Sequence, residues 1–258
     1  MNYRISYSCI SHTGYCRKMN QDNFICAGIY MNEAWTMDDF PISGSFSSRH
    51  PAAVGIFDGM GGEECGEVAS FLAAEQASHL CISDEPEEDL MDFCDKANGR
   101  ICQYAKRNRI GTMGTTAALL AFSNERIGLC NIGDSKIFRL TEEELEQLSV
   151  DHVGIAAYGR KPPLTQSLGI PPEEFLIVPY ITTRPYHKND IYLICSDGLT
   201  DMVSQEKIAE ILTETDFEKA GEQLLIRALE NGGRDNITIL LCKTEREKRT
   251  SFLRFLKR

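Results

Sequence analysis

Short apolar runs bounded by Gly, Pro and acidic turns recur along the chain, and their periods separate strands from helices. Tyr3 to Ile10 alternates in the manner of a half-buried strand, and Asp22 to Ala27 supplies a second β segment after the turn His12-Thr13-Gly14. Residues 30 to 51 are mixed and turn-rich, which predicts a loop or hairpin insert. Ala52 to Phe57 is apolar throughout and predicts a buried strand running straight into Asp58.

Two helical patterns follow. Val68, Ala69, Phe71 and Leu72 fall on one face of a helix predicted over Glu63 to Leu80, with acids in its first turn. Leu90, Phe93, Cys94, Ala97, Ile101 and Tyr104 form the stripe of a second, Glu87 to Arg107, whose basic end suits the helix dipole. Strands are then predicted at Thr115 to Phe122, Ile127 to Ile132 and Lys136 to Leu140, the last two joined by the turn Gly133-Asp134-Ser135. Ile191 to Cys195 is a further strand, Gln205 to Leu212 and Phe217 to Glu230 a second helix pair, and Ile237 to Cys242 a closing strand. Strands grouped in meanders, with helix pairs between the groups, predict an α+β fold: two packed, mainly antiparallel sheets flanked on both sides by helix pairs.

Composition narrows the class without altering this picture. At 258 residues, 42% hydrophobic and 25% charged, the chain has the make-up of a soluble globular protein. It has neither a run of the ~20 apolar residues a membrane-spanning helix needs nor the apolar stretch of a secretory signal near Met1 to Ile5, so a cytoplasmic protein is expected. The ten cysteines are scattered, without Cys-x-x-Cys or His at zinc-ligand spacing, and read as free thiols. A net charge of -11 argues against nucleic acid as a partner.

That charge is uneven. Residues 244 to 258 carry six basic and two acidic side chains, with Phe252, Leu253, Phe255 and Leu256 interleaved. A catalytic unit over 1–243 and a basic amphipathic tail over 244–258 are therefore expected. The tail suits an anionic membrane surface or a partner protein, and equally a frayed end or a short helix on the acidic body.

The candidate chemistry lies in four acidic, Gly-rich punctuation marks: Asp58-Gly59-Met60-Gly61-Gly62, Gly133-Asp134-Ser135, Ser196-Asp197-Gly198-Leu199 and Gly232-Gly233-Arg234-Asp235-Asn236. Any one of them reads as a plain turn. Four together, three directly after apolar runs, point to a shared cage for a cation. Carboxylates without His or Cys favour Mg²⁺ or Mn²⁺, and two such ions ~3.5–4 Å apart hold a water for in-line attack on phosphorus. Arg17, just before Met19-Asn20-Gln21-Asp22, is the nearby guanidinium suited to clamp phosphate oxygens.

These segments, with Gly114-Thr115-Thr116, Leu164-Thr165-Gln166-Ser167-Leu168-Gly169 and Asp235-Asn236-Ile237-Thr238, resemble the metal-dependent protein phosphatases of the PPM family (type 2C), in their bacterial form. The resemblance implies an αββα sandwich and a serine/threonine phosphatase that acts by direct attack of a metal-bridging water. It implies that Asp58 bridges two Mn²⁺ or Mg²⁺ ions, that the Gly59 carbonyl, Asp197 and Asp235 complete their ligands, and that Asp134 with Asp197 binds a weaker third. It assigns the substrate phosphate to Arg17 and a water-holding role to Asp22. Phosphorylated proteins are the implied partners, opposite a Ser/Thr kinase, and a monomer is expected.

Three departures stand out. Gln21 replaces a Glu, so it adds no charge near metal-bound water. Met60 stands where animal members carry a His proposed as general acid, and the flap between Asp134 and Leu164 is short. His152 in that stretch is more simply a loop residue than an acid. The runner-up is a weak or inactive module that keeps the fold and binds phosphoproteins.

Overall fold

The computed structural model describes residues 2–32, 35, 40–60, 65–124, 126–142, 144–156 and 161–247. One six-stranded sheet has the order β10-β9-β12-β13-β1-β4, formed by Leu145–Gln147, Lys136–Leu140, Ile191–Cys195, Ile237–Arg246, Tyr3–His12 and Ile42–Ser47. The other has the order β11-β8-β7-β5-β2-β3, formed by Tyr180–Pro185, Arg126–Ile132, Ala117–Phe122, Ala52–Met60, Asp22–Cys26 and Ile29–Tyr30, with the short β6, Gly114–Thr115, paired to the end of β5. All their pairings are antiparallel.

Helices α1, Gly66–Ser78, and α2, Pro86–Asn108, cover the second sheet, while α3, Asp197–Thr200, α4, Gln205–Glu214, and α5, Phe217–Glu230, cover the first. The α+β sandwich predicted from the pattern is the one observed.

Side-chain alternation explains why the central strands read as continuous apolar runs. In β13, Leu240 and Cys242 enter the core between the sheets, whereas Ile239 and Leu241 face α4 and α5. In β7, Leu120 and Phe122 point inward and Leu119 and Ala121 meet α1 and α2. Strands covered on both faces have no polar side to show. Each fully buried Leu, Ile or Phe stabilises the fold by about 1.5–3 kcal/mol.

Some elements differ from expectation. Residues 30–51, read as a loop or hairpin insert, contain the edge strand β4, and Tyr180–Pro185 forms the edge strand β11. α1 buries Gly66, Ala69, Ser70, Ala73, Ala74 and Ala77, leaving Val68, Phe71 and Leu72 only partly covered. The helix is held by its small side, because small residues let its backbone approach the sheet. β13 continues to Arg246, past the boundary expected at 243; Lys248 to Arg258, most of the basic tail, lies outside the described residues.

Among the described residues no helix is long and apolar enough to cross a membrane. The cysteines are free, with Cys9, Cys26, Cys94, Cys130, Cys195 and Cys242 buried and Cys16 and Cys81 exposed.

Candidate metal and phosphate cleft

Strand ends from both sheets meet at one edge of the sandwich. Asp22 opens β2 directly opposite Asp58 near the end of β5. Asp197 begins α3 immediately after β12, and Asp235 stands two residues before β13. They converge on a cleft of about 310 Å³ whose lining includes Arg17, Asp58, Gly59, Asp134, Asp197 and Asp235. The structure thus brings the six predicted lining positions together, with Asp22 directly behind them.

Backbone contacts hold Asp58 firmly. Its N–H donates to Thr116 Oγ1 at 3.0 Å, and its carbonyl accepts from the Thr116 N–H and Thr115 Oγ1, both at 2.9 Å. Thr116 Oγ1 is also 2.7 Å from Ser135 Oγ, which ties the Asp58 strand to the turn carrying Asp134. Gly114-Thr115-Thr116 is therefore a bracket between two acidic positions. At Gly59 a Cβ would stand 2.2 Å from the Gly66 carbonyl oxygen and 2.4 Å from that of Gln21, so only glycine passes between α1 and β2.

Asp22 is buried, and its Oδ2 accepts from Thr238 Oγ1 at 2.6 Å and Ser196 Oγ at 2.8 Å. Burial raises its carboxyl to about 6, helped by the charge of Asp235 and opposed by these hydroxyls. Burial, then Asp22, Asp134 and Asp235, push Asp58 well above the ordinary carboxylate range, while Lys161 acts against them. Asn236 orders the strand end: Oδ1 accepts from the Gln21 N–H at 2.8 Å and Nδ2 donates to the Thr13 and Met19 carbonyls at 2.9 Å.

Cations of the chain itself balance part of this charge. Arg17 Nη2 donates to Asp235 Oδ2 at 2.6 Å, and Lys161 Nζ bonds Asp197 and Asp201. Among the described residues no three Asp, Glu, His or Cys side chains already stand as a ligand group for one ion. The donor chemistry nevertheless fits a hard divalent cation. All the acidic groups are oxygen donors, and Asp22 Oδ1 and Asp197 Oδ1 are buried without a hydrogen-bond partner.

Several assignments shift in detail. The Gln21 amide donates to Glu67 Oε2 at 3.1 Å, so its best partner is α1. His152 Nδ1 accepts from the Gly133 N–H at 3.2 Å and its backbone N–H donates to the Gly133 carbonyl at 2.9 Å, which makes it the anchor of the Asp134 turn. Ser196, Thr238, Lys161 and Asp201 were not singled out from sequence. Gly61, Gly62 and residues 157–160 lie outside the described residues.

The family model described as Protein phosphatase 2C matches residues 38–241, beginning beyond Arg17 and Asp22. The serine/threonine protein phosphatase PstP of Mycobacterium tuberculosis is 36% identical over 72% of this chain, which spans 39% of that relative's length. The serine/threonine phosphatase stp of Listeria welshimeri is 29% identical over 88% of this chain and 91% of its own length. In three dimensions the fold is similar to the crystal structure of the PstP catalytic domain in complex with two manganese ions, at a TM-score of 0.77 and 27% identity, covering 95% of this chain and all of that one. On the extent of these matches, the chain belongs to the protein phosphatase 2C family.

Proposed function

We propose that this chain is a metal-dependent phosphatase that hydrolyses phosphoserine and phosphothreonine in proteins, using Mn²⁺ or Mg²⁺. The observation that carries this reading is the convergence of Asp58, Asp197 and Asp235 with Arg17 on one cleft, with a buried, unpaired carboxylate oxygen at Asp197. Asp58 would be shared by two ions, with the Gly59 carbonyl, Asp197 and Asp235 as further ligands and Asp134 with Asp197 for a weaker third. Such ions supply Lewis acidity at phosphorus and lower the pKa of water.

The chain's own groups do the rest. Arg17 is half exposed at the cleft mouth, paired through one nitrogen to Asp235, and its remaining N–H groups are available to orient a phosphate. Asp22 holds charge behind Asp58, its Oδ2 fixed by Ser196 and Thr238 and its Oδ1 left to accept from ordered solvent. Met60 carries no proton to donate and His152 is engaged with Gly133, so solvent protonates the departing alkoxide.

The same reading takes the protein as a cytosolic monomer opposing a Ser/Thr kinase, with its catalytic unit extended from the expected limit at 243 to the end of β13 at Arg246. Retention of every acidic position and of Arg17 speaks against a module that binds without turnover. The test is hydrolysis of a phosphothreonine peptide with Mn²⁺ or Mg²⁺; turnover that persists in chelator would overturn the metal mechanism, and no turnover with either ion would overturn the enzyme.

A further inference from the structure

Lys161 lines the cleft but has no part in the proposed reaction. Its ammonium reaches three carboxylates: Asp197 in closest contact, Asp201 at 3.1 Å and Asp134 at 3.6 Å. The first two are four residues apart, Asp197 beginning α3 and Asp201 directly following it, and the third lies in the β8–β9 turn. The Asp197 and Asp134 side chains are only 13% and 10% exposed, so this contact differs from an ordinary surface ion pair.

Its approach is also built in. Pro162 follows directly and biases Lys161 to extended backbone. The next residues are tied to the 152–154 stretch: the Gly154 N–H donates to the Pro163 carbonyl at 2.8 Å, the Thr165 N–H donates to the His152 carbonyl at 2.9 Å, and Val153 bridges Leu164. His152 anchors Gly133 in turn, so the segment bearing Lys161 and the turn bearing Asp134 share one brace.

We propose that the Lys161 ammonium takes the place of the weakest divalent cation in the cleft, giving this chain a tethered counter-ion between Asp134 and Asp197 against which a third ion must compete. An ammonium carries three donors, one for each carboxylate it meets, and needs no ligand sphere to be completed by water. The proposal rests on the metal reading above. It predicts that occupancy at Asp134 responds most to Lys161, whereas the core ions, which share Asp197 with it but are also held through Asp58 and Asp235, respond less.

The test is Mn²⁺ binding to the full chain, by calorimetry and by the electron spin resonance of free Mn²⁺, for the wild type, Lys161→Gln and Lys161→Arg. Lys161→Gln is expected to bind its weakest Mn²⁺ about tenfold more tightly, the scale of losing one partly screened competing charge, with a smaller gain for the tighter ions that share Asp197. Lys161→Arg, which keeps the charge, should behave as wild type. Melting supplies a second readout: Lys161→Gln should melt lower than wild type in chelator, where its carboxylates lose their cation, and no lower in saturating Mn²⁺. Equal Mn²⁺ number and affinity in all three proteins would overturn the proposal while leaving the metal reading intact, as would Lys161→Arg matching Lys161→Gln. Absence of Mn²⁺ binding in every protein would overturn both.

Discussion

The two walls of the cleft are built on different principles. One consists of the ends of β2, β5, β12 and β13, where Asp22, Asp58, Asp197 and Asp235 are set by the registers of both sheets. The other consists of the β8–β9 turn and the segment from Lys161 to Thr165, joined through His152 and paired with loop backbone. On the sheet wall, burial and like charges drive carboxyls upward and leave oxygens unpaired. From the loop wall an ammonium of the chain itself reaches Asp134 on its own side and Asp197 across the cleft. The sheet wall is organised to receive cations, whereas the loop wall brings one.

The sharpest way to break this contrast is to remove one acid from each side. Asp197→Ala should lower phosphothreonine-peptide turnover by roughly 10²–10³-fold, the scale for losing one preorganised electrostatic group. Asp134→Asn should cost less than about tenfold, since the ion proposed there is the weakest of the set. Equal losses in steady-state kcat/KM would erase the distinction.

Glycines probe rigidity in the same way. Gly59→Ala drives a Cβ into two carbonyl oxygens and should destabilise by about 1–3 kcal/mol in a denaturant melt. At Gly154 the nearest atom to a new Cβ is Pro163 Cγ at 3.4 Å, so Gly154→Ala should stay within about 0.5 kcal/mol of wild type. Behind the sheet wall, Ser196→Ala removes a donor to Asp22 and an acceptor for the Thr238 N–H, and Mn²⁺ affinity measured by calorimetry should fall about tenfold.

The smallest expected effect is in pH. Burial holds His152 below its ordinary value of 6.5, outweighing the charge of Asp151, so the unfolded chain takes up the proton more readily. Its contribution to stability is therefore present above pH 6.5 and is lost as the pH falls through the depressed value. Melting of the metal-free protein between pH 7.5 and 5 should differ between wild type and His152→Gln by a shallow acid loss carried by the wild type, set against the opposite trend from the raised carboxyls of Asp22 and Asp58 that both proteins share; a difference that does not change with pH would detach His152 from the turn.

The sheet wall was far more legible in the amino-acid pattern than the loop wall. Lys136–Leu140, Ile191–Cys195 and Phe217–Glu230 have the predicted limits because both a buried period and a turn signal bound them. β4 and β11 escaped because edge strands alternate weakly: Ile42 and Phe46 are the apolar residues of Ile42–Ser47, and Tyr180–Pro185 is polar over half its length. The aspartates announced themselves through neighbouring glycines and apolar runs. Ser196 and Thr238 lay inside the motifs without revealing that both hydroxyls converge on Asp22, which depends on the pairing of β12 with β13. Lys161 carries no periodic or motif signal, and its partners arise only when α3 folds beside the β8–β9 turn.

The pairing of β1 with β13 also fixes when the site can exist. Ser11 lies opposite Thr238 and His12 opposite Ile237, and the Arg17–Asp235 bond spans 218 positions. A ribosome adding ~5–20 residues per second needs roughly 10–40 s to pass from one to the other. Until β13 has emerged, Arg17 lacks its carboxylate partner and Asp22 lacks the Thr238 hydroxyl, although most of both sheets has been made. A nascent chain is therefore without a finished cleft until the strand that locks the fold, β13, has emerged.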